Sequence, residues 1–151
     1  MTITIRPARA ADVSAIGEIA DATELFPSEM LPAMIAGYLD NSAEDIWFTA
    51  DDPVAGFGFC EPERMTEGTW NLLAIGVAPG GQGAGVGRAM LRYLEAELAA
   101  RGARILLVET LGAPEFDATR RFYLANGFVE EARIRDFYEE GGDKIVFWKR
   151  V

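Results

Sequence analysis

The chain has 151 residues, 50% of them hydrophobic and 25% charged, a formal net charge of -10 and no histidine. These values exclude a disordered chain, a nucleic-acid binder built on a basic face, Ser-His-Asp and Cys-His nucleophile systems, and histidine-bearing zinc sites. They predict one globular domain over 1–151, with no metal centre and an acidic surface compatible with a cationic amine partner.

In chain order, Thr2 to Arg6 (TITIR) is β-branched and alternating and reads as a first strand ended by Pro7. The start has no signal-peptide core and no apolar run reaches the roughly 20 residues of a membrane span, so a cytoplasmic protein is expected. Asp12 to Ala22 carries Val13, Ile16, Ile19 and Ala20 at helical spacing. After the break Phe26-Pro27, Ser28 is placed to cap a second helix over Glu29 to Leu39, whose apolar stripe includes Met30, Leu31, Met34, Ile35, Tyr38 and Leu39. Ile46 to Ala50 and Val54 to Glu61 read as strands around the turn Asp51-Asp52-Pro53. Cys60, in the run GFGFC, is the sole cysteine and reads as a buried structural thiol.

Thr69 to Val77 (TWNLLAIGV) is a long apolar strand expected at the sheet centre. The turn Pro79-Gly80-Gly81 follows and opens a helix through Gln82, Gly83, Ala84, Gly85, Val86 and Gly87. Val86, Met90, Leu91, Leu94 and Leu98 face inward along it, and Gly102 is the stop signal. Ala103 to Glu109 (ARILLVE) has the continuous apolar pattern of a buried parallel strand, which makes strand, helix and strand a right-handed βαβ unit. Pro114 to Asn126 reads as a helix stopped by Asn126-Gly127, and Phe128 to Phe137 and Lys144 to Val151 as strands around the turn Glu139 to Asp143. The order predicts an α/β fold with a mixed sheet and helices on both faces.

The glycine-rich turn at a helix start is an anion site, because bare N–H groups and the positive end of the macrodipole point the same way. The dinucleotide pattern fails in register, since Val86 and Arg88 stand where its last glycine belongs. The P-loop pattern fails because Val86 and Gly87 stand where Lys and Ser/Thr belong. The pattern Gln/Arg-x-x-Gly-x-Gly/Ala is met by Gln82, Gly85 and Gly87.

With the strand LLAIGVAP before it, RILLVET after it and then TRRFYLANGF, this stretch resembles the GNAT superfamily of acyl-CoA-dependent N-acyltransferases over nearly the whole chain. The C-terminal D-F-Y-x-x-G-x-D-K hairpin resembles a bacterial branch of it. The resemblance implies that the N–H groups of Gln82 to Arg88 hold the pyrophosphate of acetyl-CoA. It also implies that the preceding strand splays from its parallel neighbour, so that the backbone around Ile75, Gly76 and Val77 pairs with the pantetheine arm. Tyr123 falls at the family's position for the acid that protonates the leaving thiolate. The family often has Asn where this chain has Phe116 and Ala where it has Thr119, which leaves any cofactor contact from that Asn lost or replaced. A homodimer is a further implication, since terminal strands often pair between subunits there.

Direct transfer also needs the amine's proton to leave, to a carboxylate working through water or without a dedicated base. Glu109, at the end of the strand beside the splay, is the first candidate, ahead of Glu24, Glu29 and Glu61. Phe26 and Met30 on one side and Asp136, Phe137, Tyr138, Asp143 and Lys144 on the other are expected to line the acceptor pocket, unless the hairpin only holds an Asp143–Lys144 ion pair. Two other classes compete: an acyl-CoA-binding regulatory module of the same fold, which Tyr123 disfavours, and a nucleotide-dependent transferase, which the missing P-loop lysine disfavours.

Overall fold

The structure, a computed structural model, describes residues 2–151. Its strands are β1 (Ile5–Pro7), β2 (Ile46–Ala50), β3 (Gly56–Pro62), β4 (Thr69–Val77), β5 (Ile105–Leu111), β6 (Val129–Glu139) and β7 (Gly142–Arg150). Its helices are α1 (Val13–Ala22), α2 (Leu31–Leu39), α3 (Val86–Ala100) and α4 (Asp117–Ala125). The strands form one seven-stranded mixed sheet in the order β1-β2-β3-β4-β5-β7-β6. Among the described residues only β4 and β5 pair in parallel, as the βαβ unit through α3 requires. The α/β expectation is met.

Each face of the sheet buries its own apolar cluster. Residues of α1 and α2 (Ile16, Ile19, Leu31, Ile35) pack on Trp47, Phe57 and Phe59. Residues of α3 (Met90, Leu91, Leu94, Leu98) pack on Phe48, Leu72, Leu106 and Phe147 of the other face. The side chains of Met90, Leu91, Leu94 and Leu98 are fully buried, each contributing about 1.5–3 kcal/mol of transfer free energy. Gly58 permits this packing, because a Cβ there would lie 2.1 Å from the Phe48 ring. Cys60 is buried, and burial pushes its thiol well above the usual range, as an inert structural cysteine requires.

Several expected boundaries shift for identifiable reasons. The first strand begins at Ile5 and includes Pro7, which sits on the sheet edge where its missing N–H costs no ladder bond. Asp12 precedes the first α-helix in a 3₁₀ turn, where its carboxylate accepts the Arg9 N–H at 2.8 Å and pairs with Arg6 at 2.7 Å. Ser28 does not cap α2: it opens a 3₁₀ turn over Ser28–Met30, and its own N–H donates to Asp21. Met30 consequently leaves the expected stripe and is 51% exposed, and Leu39 is exposed as well. The third helix starts at Val86 and not at Gln82, because Gly83 and Gly85 adopt left-handed φ values of 84° and 85°.

Candidate functional site

The centre of β4 carries the decisive irregularity. Its register with β3 slips between Phe59 and Cys60, so that Leu73 is an extra, bulged residue. Parallel pairing of β4 with β5 ends at the same place, at Leu72 opposite Val108. Beyond it β4 stays with β3 while β5 stays with β7, paired through Leu111. The two strands part and leave the β5-facing edge of Leu73 to Val77 without a neighbouring strand.

A cavity of about 920 Å³ fills this gap. One end is the glycine loop, where Gly81, Gln82, Gly83, Gly85, Val86, Gly87 and Arg88 contribute to its wall. Ala84 is exposed and does not. Gly85 caps α3 without a side-chain hydrogen bond. Ala89 is the first residue to donate back into the turn, to the Gly85 carbonyl at 3.0 Å, so the N–H groups of Val86, Gly87 and Arg88 have no helical acceptor. A Cβ at Gly87 would stand 3.1 Å from the Phe122 ring, so glycine there lets α4 approach the start of α3. Gln82 folds back onto the Val77 carbonyl at 3.4 Å and braces the loop against the strand end.

The middle of the cavity is lined by Ile75, Gly76 and Val77 on one strand and by Glu109, Thr110 and Leu111 on the other. The Thr110 hydroxyl is buried without a hydrogen-bond partner. Tyr123 reaches the cavity from α4, is 3% exposed and packs against the rings of Phe122, Phe128 and Phe147. Burial pushes its phenol well above the ordinary value of 10.0, so it keeps its proton at neutral pH. Arg120 fixes the approach to α4 by donating to the carbonyls of Leu111 at 2.7 Å and Ala113 at 3.0 Å.

Glu109 enters from the other face of the sheet. Strand alternation puts it opposite in direction to Val108, which belongs to the α3 and α4 core, and on the face shared by Asn71 and Lys144. Its Oε2 is 3.0 Å from Lys144 Nζ and accepts from Asn71 Nδ2 at 3.3 Å. Asn71 also donates to Glu63 at 3.4 Å, and its own Oδ1 is buried without a partner. Lys144 Nζ lies 4.0 Å from the centre of the Phe137 ring, which packs edge-on to Tyr138. The Tyr138 phenol is pushed upward by burial and then by the Glu109 charge.

None of the residues expected to wall the acceptor side lines this cavity. Phe26 packs edge-to-face on Phe57 and Met30 is exposed, and neither lines the cavity; Thr23 and Leu25 do. Leu25 lies over Gly76, where a Cβ would meet it at 2.8 Å. Asp136 supports the turn by accepting the Gly141 N–H at 2.9 Å. Glu24, Glu29 and Glu61 stand outside the cavity lining, whereas Phe116 and Thr119 are part of it. Leu25 and Leu73 were missed because only strand register and loop path bring them here.

The profile of the acetyltransferase (GNAT) domain matches residues 42–130. No curated protein sequence matches. Among solved structures, a protein assigned to the GNAT acetyltransferase family from Desulfovibrio desulfuricans superposes with a TM-score of 0.89 at 30% identity, over 99% of both chains. The ribosomal-protein-S18-alanine N-acetyltransferase from Escherichia coli gives 0.78 at 24% identity, over 99% of this chain and 94% of that one. A Salmonella typhimurium protein described as an acetyltransferase, solved with its cofactor acetyl-CoA, gives 0.79 at 20% identity, over 99% of this chain and 94% of that one.

Proposed function

The chain belongs to the GNAT family of acetyltransferases, and from that premise we propose an N-acetyltransferase that moves an acetyl group from acetyl-CoA to a primary amine of a small molecule or peptide by direct attack. Tyr123 is the general acid and Glu109 the general base. One observation carries this reading: a single cavity reaches a buried phenol from one face of the sheet and a carboxylate from the other, through the gap between β4 and β5.

The residues present fit the donor. The unpartnered N–H groups of Val86, Gly87 and Arg88, with Gln82, Gly83 and Gly85 around them, suit a pyrophosphate. The unpaired edge of Leu73 to Val77 offers backbone groups to the pantetheine amides, as an added strand would. Acetyl-CoA supplies the activated acetyl thioester. Glu109 then takes a proton from an amine arriving on its face of the sheet, and Tyr123 gives one to the departing sulfur on the opposite side. A positioned acid or base is worth about 10²–10⁴-fold in rate.

The same reading takes 1–151 as one catalytic domain, because strands from both ends of the chain join one sheet. It also takes β6 as the contact of a homodimer: this edge strand is exposed along its whole length and carries exposed Val129, Ile134, Phe137 and Tyr138. A cytoplasmic setting suits the acetyl-CoA supply and the free Cys60 thiol. Among the described residues no helix is long and apolar enough to cross a membrane.

The test combines donor binding with an acceptor panel. Acetyl-CoA should raise the melting temperature where ATP and NAD do not, and polyamines, amino acids, aminoglycosides and peptides are assayed for release of CoA thiol. Stabilisation by ATP alone removes the donor assignment. Donor binding without turnover on any amine leaves an acyl-CoA-binding module.

A further inference from the structure

Lys144 and Lys149 are the only lysines in the chain. Lys149 is tied to the Glu95 carboxylate and the Asn126 carbonyl, both at 2.8 Å, on the α3 and α4 side. Lys144 stands elsewhere. It leaves β7 opposite Leu111, a residue of the cavity wall, on the face from which Glu109 projects. Its side chain is 12% exposed, its Nζ is 3.0 Å from Glu109 Oε2, and the Phe137 ring closes over it. An amine of the protein itself is thus one hydrogen bond away from a cavity-lining carboxylate.

We propose that Lys144 is a self-acetylation site, filled from acetyl-CoA when no external amine is present. This rests on the acyl-transfer reading above. Glu109 takes one ammonium proton and passes it to water. The Nζ lone pair forms a bond to the thioester carbonyl carbon, and the carbon–sulfur bond breaks with its electron pair left on sulfur. Tyr123 gives its proton to that sulfur and is reprotonated by the second proton shed from nitrogen. The third proton of the ammonium stays on the new amide. The products are free CoA thiol and a neutral Nζ-acetyl group, with one proton released. A neutral amide no longer forms an ion pair with Glu109, so the modification also releases that carboxylate from its cation.

The test uses the full chain with acetyl-CoA and no acceptor, followed by intact mass and peptide mapping over time. One acetyl group should appear, on Lys144 and not on Lys149, at a rate independent of protein concentration. Lys144→Arg should abolish it, and Tyr123→Phe should slow it by about 10²-fold or more. An unmodified Lys144, equal labelling of Lys149, a rate that rises with protein concentration or a rate unchanged in Tyr123→Phe each overturns the proposal. Two controls separate its failure from that of the parent reading. If acetyl-CoA still raises the melting temperature and an external amine is still acetylated while Lys144 stays unmodified, self-transfer alone falls. If acetyl-CoA gives no stabilisation, both fall.

Discussion

The two ends of the cleft are built from different material. At the Gln82–Arg88 end the groups that face the cavity are main-chain N–H groups, bared by Gly83, Gly85 and Gly87 and held by helix geometry. At the other end it is a side chain, Glu109 from β5, held by side chains from separate strands: Asn71 from β4, Lys144 from β7 and, over that lysine, Phe137 from β6. A backbone site depends on conformation and tolerates few side chains. A side-chain site depends on register and can be rewritten one residue at a time. The first suits a ligand common to a whole family, and the second suits an acceptor that differs between its members.

Tyr123 stands where the two ends meet, and its removal has the largest expected effect. Tyr123→Phe should lower kcat by about 10²–10⁴-fold and leave acetyl-CoA affinity near that of the parent, since the buried ring contacts survive. Steady-state kinetics beside calorimetric binding measures both. An unchanged kcat in a reaction limited by chemistry removes the acid assignment and leaves the phenol as packing.

A smaller, purely backbone effect should follow at the other end. Gly85 has φ 85° and open space where a Cβ would stand, so Gly85→Ala clashes with nothing but puts alanine in a left-handed conformation, at about 1–2 kcal/mol. Acetyl-CoA affinity should drop by about tenfold, which corresponds to about 1.4 kcal/mol, while kcat at saturating donor stays close to the parent value. An equal loss in kcat would mean that the two ends are mechanically coupled and would blur the contrast between them.

The same contrast governs what the sequence made legible. The α3 stripe, the βαβ unit and the Gln82–Gly87 turn are local patterns, and strand β4 ends where expected, at Val77. The splay was legible only through resemblance. Its physical marker, the bulge at Leu73, has no residue signature, because leucine suits a regular strand equally well. The Glu109–Lys144 pair needs the β5–β7 register; from the sequence the partner to hand for Lys144 was its neighbour Asp143, which in the structure pairs with Arg133. Met30 looked buried from its spacing, but the 3₁₀ turn over Ser28–Met30 rotates it outward.

The smallest expected effect separates the two ends by acid. Between Ile134 and Glu139, β6 leaves the β7 ladder, and Asp136 takes a left-handed φ of 55°. Asp143 holds this excursion: its carboxylate accepts the Asp136 N–H at 3.0 Å and pairs with Arg133. Those contacts, the backbone one first, hold its carboxyl below the ordinary value of 3.8. A folded value below the unfolded one means that the contribution is complete above 3.8 and is lost as pH falls through the lower, folded value. The Asp136 amide shift, followed by NMR on acidification, should therefore titrate with a midpoint below 3.8, and Asp143→Asn should abolish the transition. The amides of Gly83 and Gly85 should stay still over the same range, because Gln82 and main-chain contacts brace that loop. If all these amides moved together, or if the Asp136 midpoint lay at the ordinary carboxylate value, the hairpin would not be held by this carboxylate, and the two ends would differ less than their construction implies.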